Sequence, residues 1–110
     1  MSGRKASELL ALPVRIHGIQ LGRAVDALLD PTVDRIVGFE IACGDGAYRF
    51  LPFPVARIDD QEIAPSSALA LVDERELTYY RKHSRRLSEL ALADPWVDAD
   101  GAVREAPVAA

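Results

Sequence analysis

One cysteine among 110 residues, Cys43, leaves no intramolecular disulfide to form, so the fold gains nothing from an oxidising compartment and a cytoplasmic location is expected. No apolar run approaches the ~18 residues that cross a bilayer. The stretch Leu9 to Val14 is too short, and too close to Glu8, for a signal-peptide core. No membrane insertion is expected. Positive charge is the minority sign, 13 Lys and Arg against 17 Asp and Glu, for a net charge of -4. That balance argues against a whole-surface nucleic-acid binder and leaves room only for a local basic patch.

The residues of catalysis and metal binding are equally sparse. His17 and His83 are far apart in sequence, and neither has a cysteine or second histidine at metal-ligand spacing. Cys43, beside a glycine loop at a strand end, and the serines have no base at a recognisable spacing. Asp98, Asp100 and Gly101 fit the third, fifth and sixth places of a calcium loop, but the first would be Trp96 and the twelfth Pro107. Gly44-Asp45-Gly46 has neither the spacing nor the following helix of a nucleotide fingerprint. No metal, cofactor or catalytic residue is expected, and the chain does not read as an enzyme.

Apolar residues make up 49% of the chain and charged residues 27%, the balance of a folding globular protein. At this length one main hydrophobic core is expected. Met1 to Ala6 is small, polar and unpatterned and is expected to fray. Ser7 to Leu12 has the makings of a helical turn or two capped by Ser7, interrupted by Pro13. Val14 and Ile16 alternate with Arg15 and His17, the period of a half-buried strand. In the next strand, Leu21 to Asp30, parity puts Leu21, Val25 and Leu29 on one face and Asp26 on the other.

Arg35 to Ala42 reads as the strongest strand, with Val37, Phe39 and Ile41 facing one way and Gly38 and Glu40 the other. Cys43 to Ala47 reads as a hairpin loop leading into Tyr48 to Leu51. Pro52 and Pro54 then predict a short turn or 3₁₀ segment, with Val55 and Ile58 packed inward. Glu62 to Ala64 and Ala68 to Val72 complete six short strands separated by turn signals, the pattern of a small barrel or sandwich.

At Asp73 the period changes. Asp73 with Glu76 resembles a capping box, and Leu77, Tyr80, Leu87 and Leu90 recur on one helical face, so an amphipathic helix is expected from about Glu74 to Ala91. The expected division is a barrel over residues 7–72, the helix over 73–92 and a tail over 93–110, with Ala106 to Ala110 disordered.

Pro13-Val14, Gly18, Leu21-Gly22, Val25, Asp30, Ile36-Val37-Gly38, Arg49, Leu51-Pro52, Val55, Ile58 and Ile63 occur in the order and approximate spacing of the PRC-barrel family. The chain resembles that family over about Ser7 to Val72. The resemblance implies a mainly β fold, a six-stranded PRC-type barrel followed by a C-terminal helix, that serves as an adaptor. Gly22 and Gly38 read as places of tight crossing or close backbone approach. Self-comparison adds that Ser7-Glu8-Leu9, followed by Pro13, Val14 and Gly18, is echoed by Ser88-Glu89-Leu90, followed by Pro95, Val97 and Gly101. Trp96 to Val103 therefore reads as a remnant of a second barrel opening, or as a strand that docks on a partner chain.

The leading expectation is a non-enzymatic protein-interaction module whose partner includes its own copy as a homodimer, with Leu77, Tyr80, Leu87 and Trp96 as contacts. The alternative is an RNA- or ribosome-associated factor that uses Arg81, Lys82, Arg85 and Arg86 within the basic stretch 75–86.

Overall fold

The structure, a computed structural model, describes residues 3–90 and 94–104. Ala91, where the helix was expected to end, and Ala106 to Ala110, expected to be disordered, lie outside the described residues. Strand β1 (Arg4–Lys5) leads into the single-turn helix α1 (Ala6–Leu9), followed by β2 (Pro13–Ile16), β3 (Ile19–Asp30), β4 (Arg35–Cys43), β5 (Tyr48–Pro52), β6 (Ala56–Ile58) and β7 (Ile63–Pro65). Helix α2 (Glu74–Lys82) then precedes β8 (Arg85–Arg86), β9 (Trp96–Val97) and β10 (Val103–Arg104). The fold is mainly β.

The main sheet runs β5-β4-β3-β2-β7-β6 and curls into a half-barrel. The first and last strands of that order are consecutive in the chain, joined by a 3₁₀ turn at Phe53–Val55. Two register shifts in the β3–β4 pairing, which leave Val25 of β3 and Val37 of β4 as extra residues, supply the bend, because each bulge adds local twist. The second also moves Val37 off the expected face of Phe39 and Ile41 and onto the outer cluster. Gly22 and Gly38 allow close approach: a Cβ on Gly22 would lie 2.3 Å from the Ala42 carbonyl oxygen, and one on Gly38 would lie 2.2 Å from the Phe50 ring. Both glycines therefore occupy the crowded positions that the sequence pattern implies.

Inside the curl, Val14, Phe39, Ile41, Leu51 and Ile63 are fully buried, and Leu9, Leu87 and Val97 pack into the same cluster. On the outer face a second cluster of Leu28, Phe50 and Leu77 forms beneath α2. The Tyr80 ring stacks on Phe50 at 4.1 Å between centroids.

Several expectations need correction. The N-terminus does not fray from Arg4 onward, because β1 pairs with β9, matching Arg4 to Val97 and Lys5 to Trp96. Lys5, not Ser7, is the cap of α1. Ala68 to Val72 is not a strand: Ala68–Ala70 is a 3₁₀ turn, and Val72 alone bridges Phe50 with backbone bonds of 2.9 and 3.0 Å. The further strand of the main sheet is instead β6, within the segment read as a turn. The bulge at Val25 turns that side chain out of the face expected for it with Leu21 and Leu29, leaving it 45% exposed, while Asp26, on the opposite face as expected, is only 4% exposed.

Helix α2 begins where expected, with the Asp73 side chain accepting the Glu76 N–H at 3.2 Å, but it ends at Lys82. Beyond it the backbone finds better partners on β3. Strand β2 covers only the N-terminal half of that strand's second edge, and β8 takes the vacant part at Leu28 and Leu29. Leu87 then enters the inner core from a 3₁₀ turn at Leu87–Glu89 rather than continuing a helical face.

Candidate interaction surface

The eight side chains singled out from sequence have divergent fates. Leu77 and Leu87 are 0% and 3% exposed, so both are internal core and neither faces a partner. Tyr80 is half-buried against Phe50. Trp96 lies in β9, its indole against Gly3, and its buried Nε1 has no hydrogen-bond partner among the described residues.

Three of the four basic candidates are engaged inside the chain. Arg81 donates to Glu40 from Nε at 3.2 Å and from Nη2 at 2.7 Å, and Arg86 reaches the same carboxylate at 3.6 Å. Hydrogen bonding to Glu40 raises the Arg81 pKa further above its ordinary value. Arg85 pairs with Asp34 at 3.3 Å. Lys82 has no ion-pair partner among the described residues, and it shares the exposed side of α2 with Arg75, Tyr79 and His83.

Sequence parity placed Glu40 and Asp26 on the faces away from the apolar positions of their strands but missed the burial of both. The two carboxylates are opposite one another in the β3–β4 register, and each is 4% exposed. Like charges so placed repel, so each needs its own donors. Glu40 has the two arginines. Asp26 accepts the Ala27 N–H at 2.9 Å, the Ser88 N–H at 3.2 Å and the Ser88 hydroxyl at 2.6 Å. This pair fastens the segment from Arg81 to Ser88 across the outer face of the sheet.

The free apolar surface lies elsewhere. A cleft of about 340 Å³ is lined by Gln20, Leu21, Cys43, Gly44, Asp45, Arg49 and Leu71. A second cleft shares Gln20, Leu21, Cys43 and Gly44 with it and continues to Gly22, Arg23 and Ala42, so the two form one groove. The segments that build its walls also carry two of the most exposed apolar side chains: Ile19, 65% exposed, precedes Gln20, and Leu69, 92% exposed, stands two positions before Leu71.

The rim is set by the β4–β5 loop. Asp45 Oδ1 accepts the Ala47 N–H at 3.0 Å, and the Asp45 carboxylate takes two bonds from Arg49, at 3.1 and 2.9 Å. The bonded guanidinium holds Asp45 down to about 2, and the carboxylate raises Arg49 in turn. The Cys43 thiol is half-buried in this groove, and neither histidine lines it. His17 instead borders a separate cleft with Arg57 and Glu62. Among the described residues no three His, Cys, Asp or Glu side chains converge as a metal site would require, and no helix is long and apolar enough to cross a membrane.

The groove thus offers leucine walls and the Asp45–Arg49 ion pair, with Arg23 lining its continuation, and the adjoining segments carry an exposed isoleucine and leucine. Such a surface is suited to burying another apolar surface. No protein-family model matches the chain, and no curated protein does either.

Proposed function

We propose that the chain is a non-catalytic protein-interaction module, a six-stranded barrel of the PRC type, which self-associates through its open end. The observation that carries this reading is Leu69, almost fully exposed beside a groove walled by Leu21 and Leu71. Exposed leucine over an apolar cleft is the kind of surface that a partner covers. A second copy is the favoured occupant because the rim is self-complementary. The β4–β5 part of the rim pairs one acid with one base, and a twofold axis through it would set Asp45 of one copy opposite Arg49 of the other. Closure of the barrel, by packing of β5 and β6 on either side of their shared 3₁₀ turn, is part of the same proposal.

Light scattering coupled to size exclusion tests it. A dimer that becomes monomeric on Ile19→Asp with Leu69→Asp supports self-association through this end, and a wild-type chain that is monomeric at micromolar concentration sinks it.

The RNA reading survives in narrower form. Of the basic residues first singled out, Lys82 alone has no ion-pair partner among the described residues; Arg75 and Tyr79 on α2 and His83 at its end are exposed beside it. RNA retention at low salt that disappears on Arg75→Ala with Lys82→Ala would favour it. Retention unchanged by those substitutions would remove it.

A further inference from the structure

The echo between the two ends of the chain covers six positions: Arg4-Lys5-Ala6-Ser7-Glu8-Leu9 and Arg85-Arg86-Leu87-Ser88-Glu89-Leu90. Each copy has two basic residues, a small or apolar residue, then Ser-Glu-Leu, and the two copies build the same device. The basic pair forms a two-residue strand, β1 or β8, and the next residues form a single turn. Glu8 Oε1 accepts the Lys5 N–H at 3.2 Å, and Glu89 Oε1 accepts the Arg86 N–H at 3.3 Å. Ala6 and Leu87, at matching positions, are both buried.

Each serine then holds one aspartate with two bonds. Ser7 donates its N–H and hydroxyl to Asp94 at 3.0 and 2.8 Å. Ser88 donates the same two groups to Asp26 at 3.2 and 2.6 Å. The latches cross: the N-terminal serine holds the C-terminal part of the chain, and the C-terminal serine holds β3.

We propose that Ser7 and Ser88 are phosphoacceptor sites of a basophilic serine protein kinase, and that phosphorylation of Ser88 releases the segment Arg85–Leu90 from the sheet. Two basic side chains, three and two residues before an exposed serine, form the charge pattern that acidic groups in such a kinase's substrate groove select. This pattern occurs twice, each time on a serine that the fold uses as a latch. Ser7 and Ser88 are both exposed, and a two-residue strand pairing is an element that opens locally.

In the step itself the serine Oγ forms a bond to the γ-phosphorus of a nucleoside triphosphate. The bond from that phosphorus to the bridging oxygen breaks, the nucleoside diphosphate leaves, and the hydroxyl proton passes to a carboxylate base of the kinase.

The esterified Oγ can no longer donate to Asp26, and the phosphate adds about -1.5 to -2 charges beside a buried carboxylate. Glu40 lies opposite on β4, so three acidic groups would crowd the reach of Arg81 and Arg86. Repulsion and the lost hydrogen bond act together to lift Arg85–Arg86 off Leu28–Leu29 and to draw Leu87 out of the core. At Ser7 the same chemistry meets Asp94, an exposed carboxylate, and the effect is weaker.

The test treats the full chain with a nucleoside triphosphate, magnesium and a basophilic serine kinase catalytic domain, followed by site mapping and hydrogen exchange. The expected result is phosphate on Ser7 and Ser88, with Ser88 labelling falling about tenfold on Arg85→Ala and Ser7 labelling unchanged as the internal reference. Ser88→Ala removes one site only. In the phosphorylated protein, amide exchange at residues 85–88 rises by about tenfold or more while Ile41 and Leu51 stay protected. No label on Ser88 in the folded chain, under conditions that label a peptide of residues 83–90, overturns the site. Label on Ser88 with unchanged exchange at 85–88 overturns the release.

Discussion

Leu77 and Leu69 stand on either side of the turn into α2, and the fold treats them oppositely: the first is 0% exposed under the helix, the second 92% exposed in the 3₁₀ turn Ala68–Ala70. The surroundings differ in the same sense. On the outer face of the sheet, Phe50, Leu28 and Tyr80 close over Leu77, and Arg81 and Arg86 are spent on the buried Glu40. By contrast, Leu21 and Leu71 line a surface groove where Asp45 and Arg49 pair with each other at the rim. Amphipathic periodicity reveals which side chains need cover. It does not reveal whether the cover comes from the same chain.

Substitutions at the two places separate internal cover from a free surface. The largest effect is expected for Leu77→Asp, which buries an unpartnered carboxylate at a cost above about 4 kcal/mol. That is enough to remove most of the stability of a domain this size, and calorimetry should show a lost or greatly lowered transition. Leu69→Asp should change the stability of the monomeric chain, measured at concentrations too low for self-association, by no more than about 0.5 kcal/mol, as at ordinary surface sites. Equal destabilisation by the two would erase the contrast.

Next is Glu40→Ala, which strips Arg81 and Arg86 of their shared carboxylate. The arginine side chains are 31% and 39% exposed, so solvent offsets part of the loss. A destabilisation of about 1–3 kcal/mol is expected from denaturant unfolding. Asp45→Ala at the rim should be milder, because both partners of that pair are solvated. A larger loss from Asp45→Ala than from Glu40→Ala would reverse the assignment of the two pairs.

Acid sharpens the same contrast at smaller scale. Asp45 sits at about 2 in the folded chain against an ordinary 3.8. Its ion pair therefore contributes stability that is fully present above pH 3.8 and is lost as pH falls through about 2. Asp94, held low by the Ser7 hydroxyl and then by the Ser7 N–H, follows the same sign. Carboxyl NMR titration should show both groups ionised at pH 4, and an Asp45 midpoint at or above 3.8 would remove the rim pair from the electrostatic picture. The smallest effect is expected for Lys82→Ala, which should leave the unfolding midpoint unchanged within about 0.5 kcal/mol.

Much of the sheet could be read in advance. The β-branched and aromatic run over Arg35 to Ala42, the glycine loop before Tyr48 and the two crowded glycines all announce local geometry. The bulge at Val25 could not be read, because one inserted residue turns its own side chain out of the strand's alternation while leaving the composition unchanged. Nor could the burial of Asp26, which comes from Ser88 and the segment after α2.

The helix was overextended for a related reason. Leu77, Tyr80, Leu87 and Leu90 fit one helical face, but position 84, which belongs on that face, is serine in the polar run from Arg81 to Arg86. That gap was the available sign that the chain leaves the helix. The groove gave even less warning, because Ile19, Leu21, Leu69 and Leu71 come from segments far apart in sequence and only topology brings their walls together.

The most direct measurement of self-association through the open end is light scattering on the purified wild-type chain and on the Ile19→Asp, Leu69→Asp double variant, at low and high salt, with thermal unfolding of both. A salt-resistant wild-type dimer and a monomeric double variant with an unchanged unfolding midpoint per protomer, once corrected for concentration, are the expected results. A dimer that persists in the double variant, or a wild-type chain that is monomeric throughout, would contradict it.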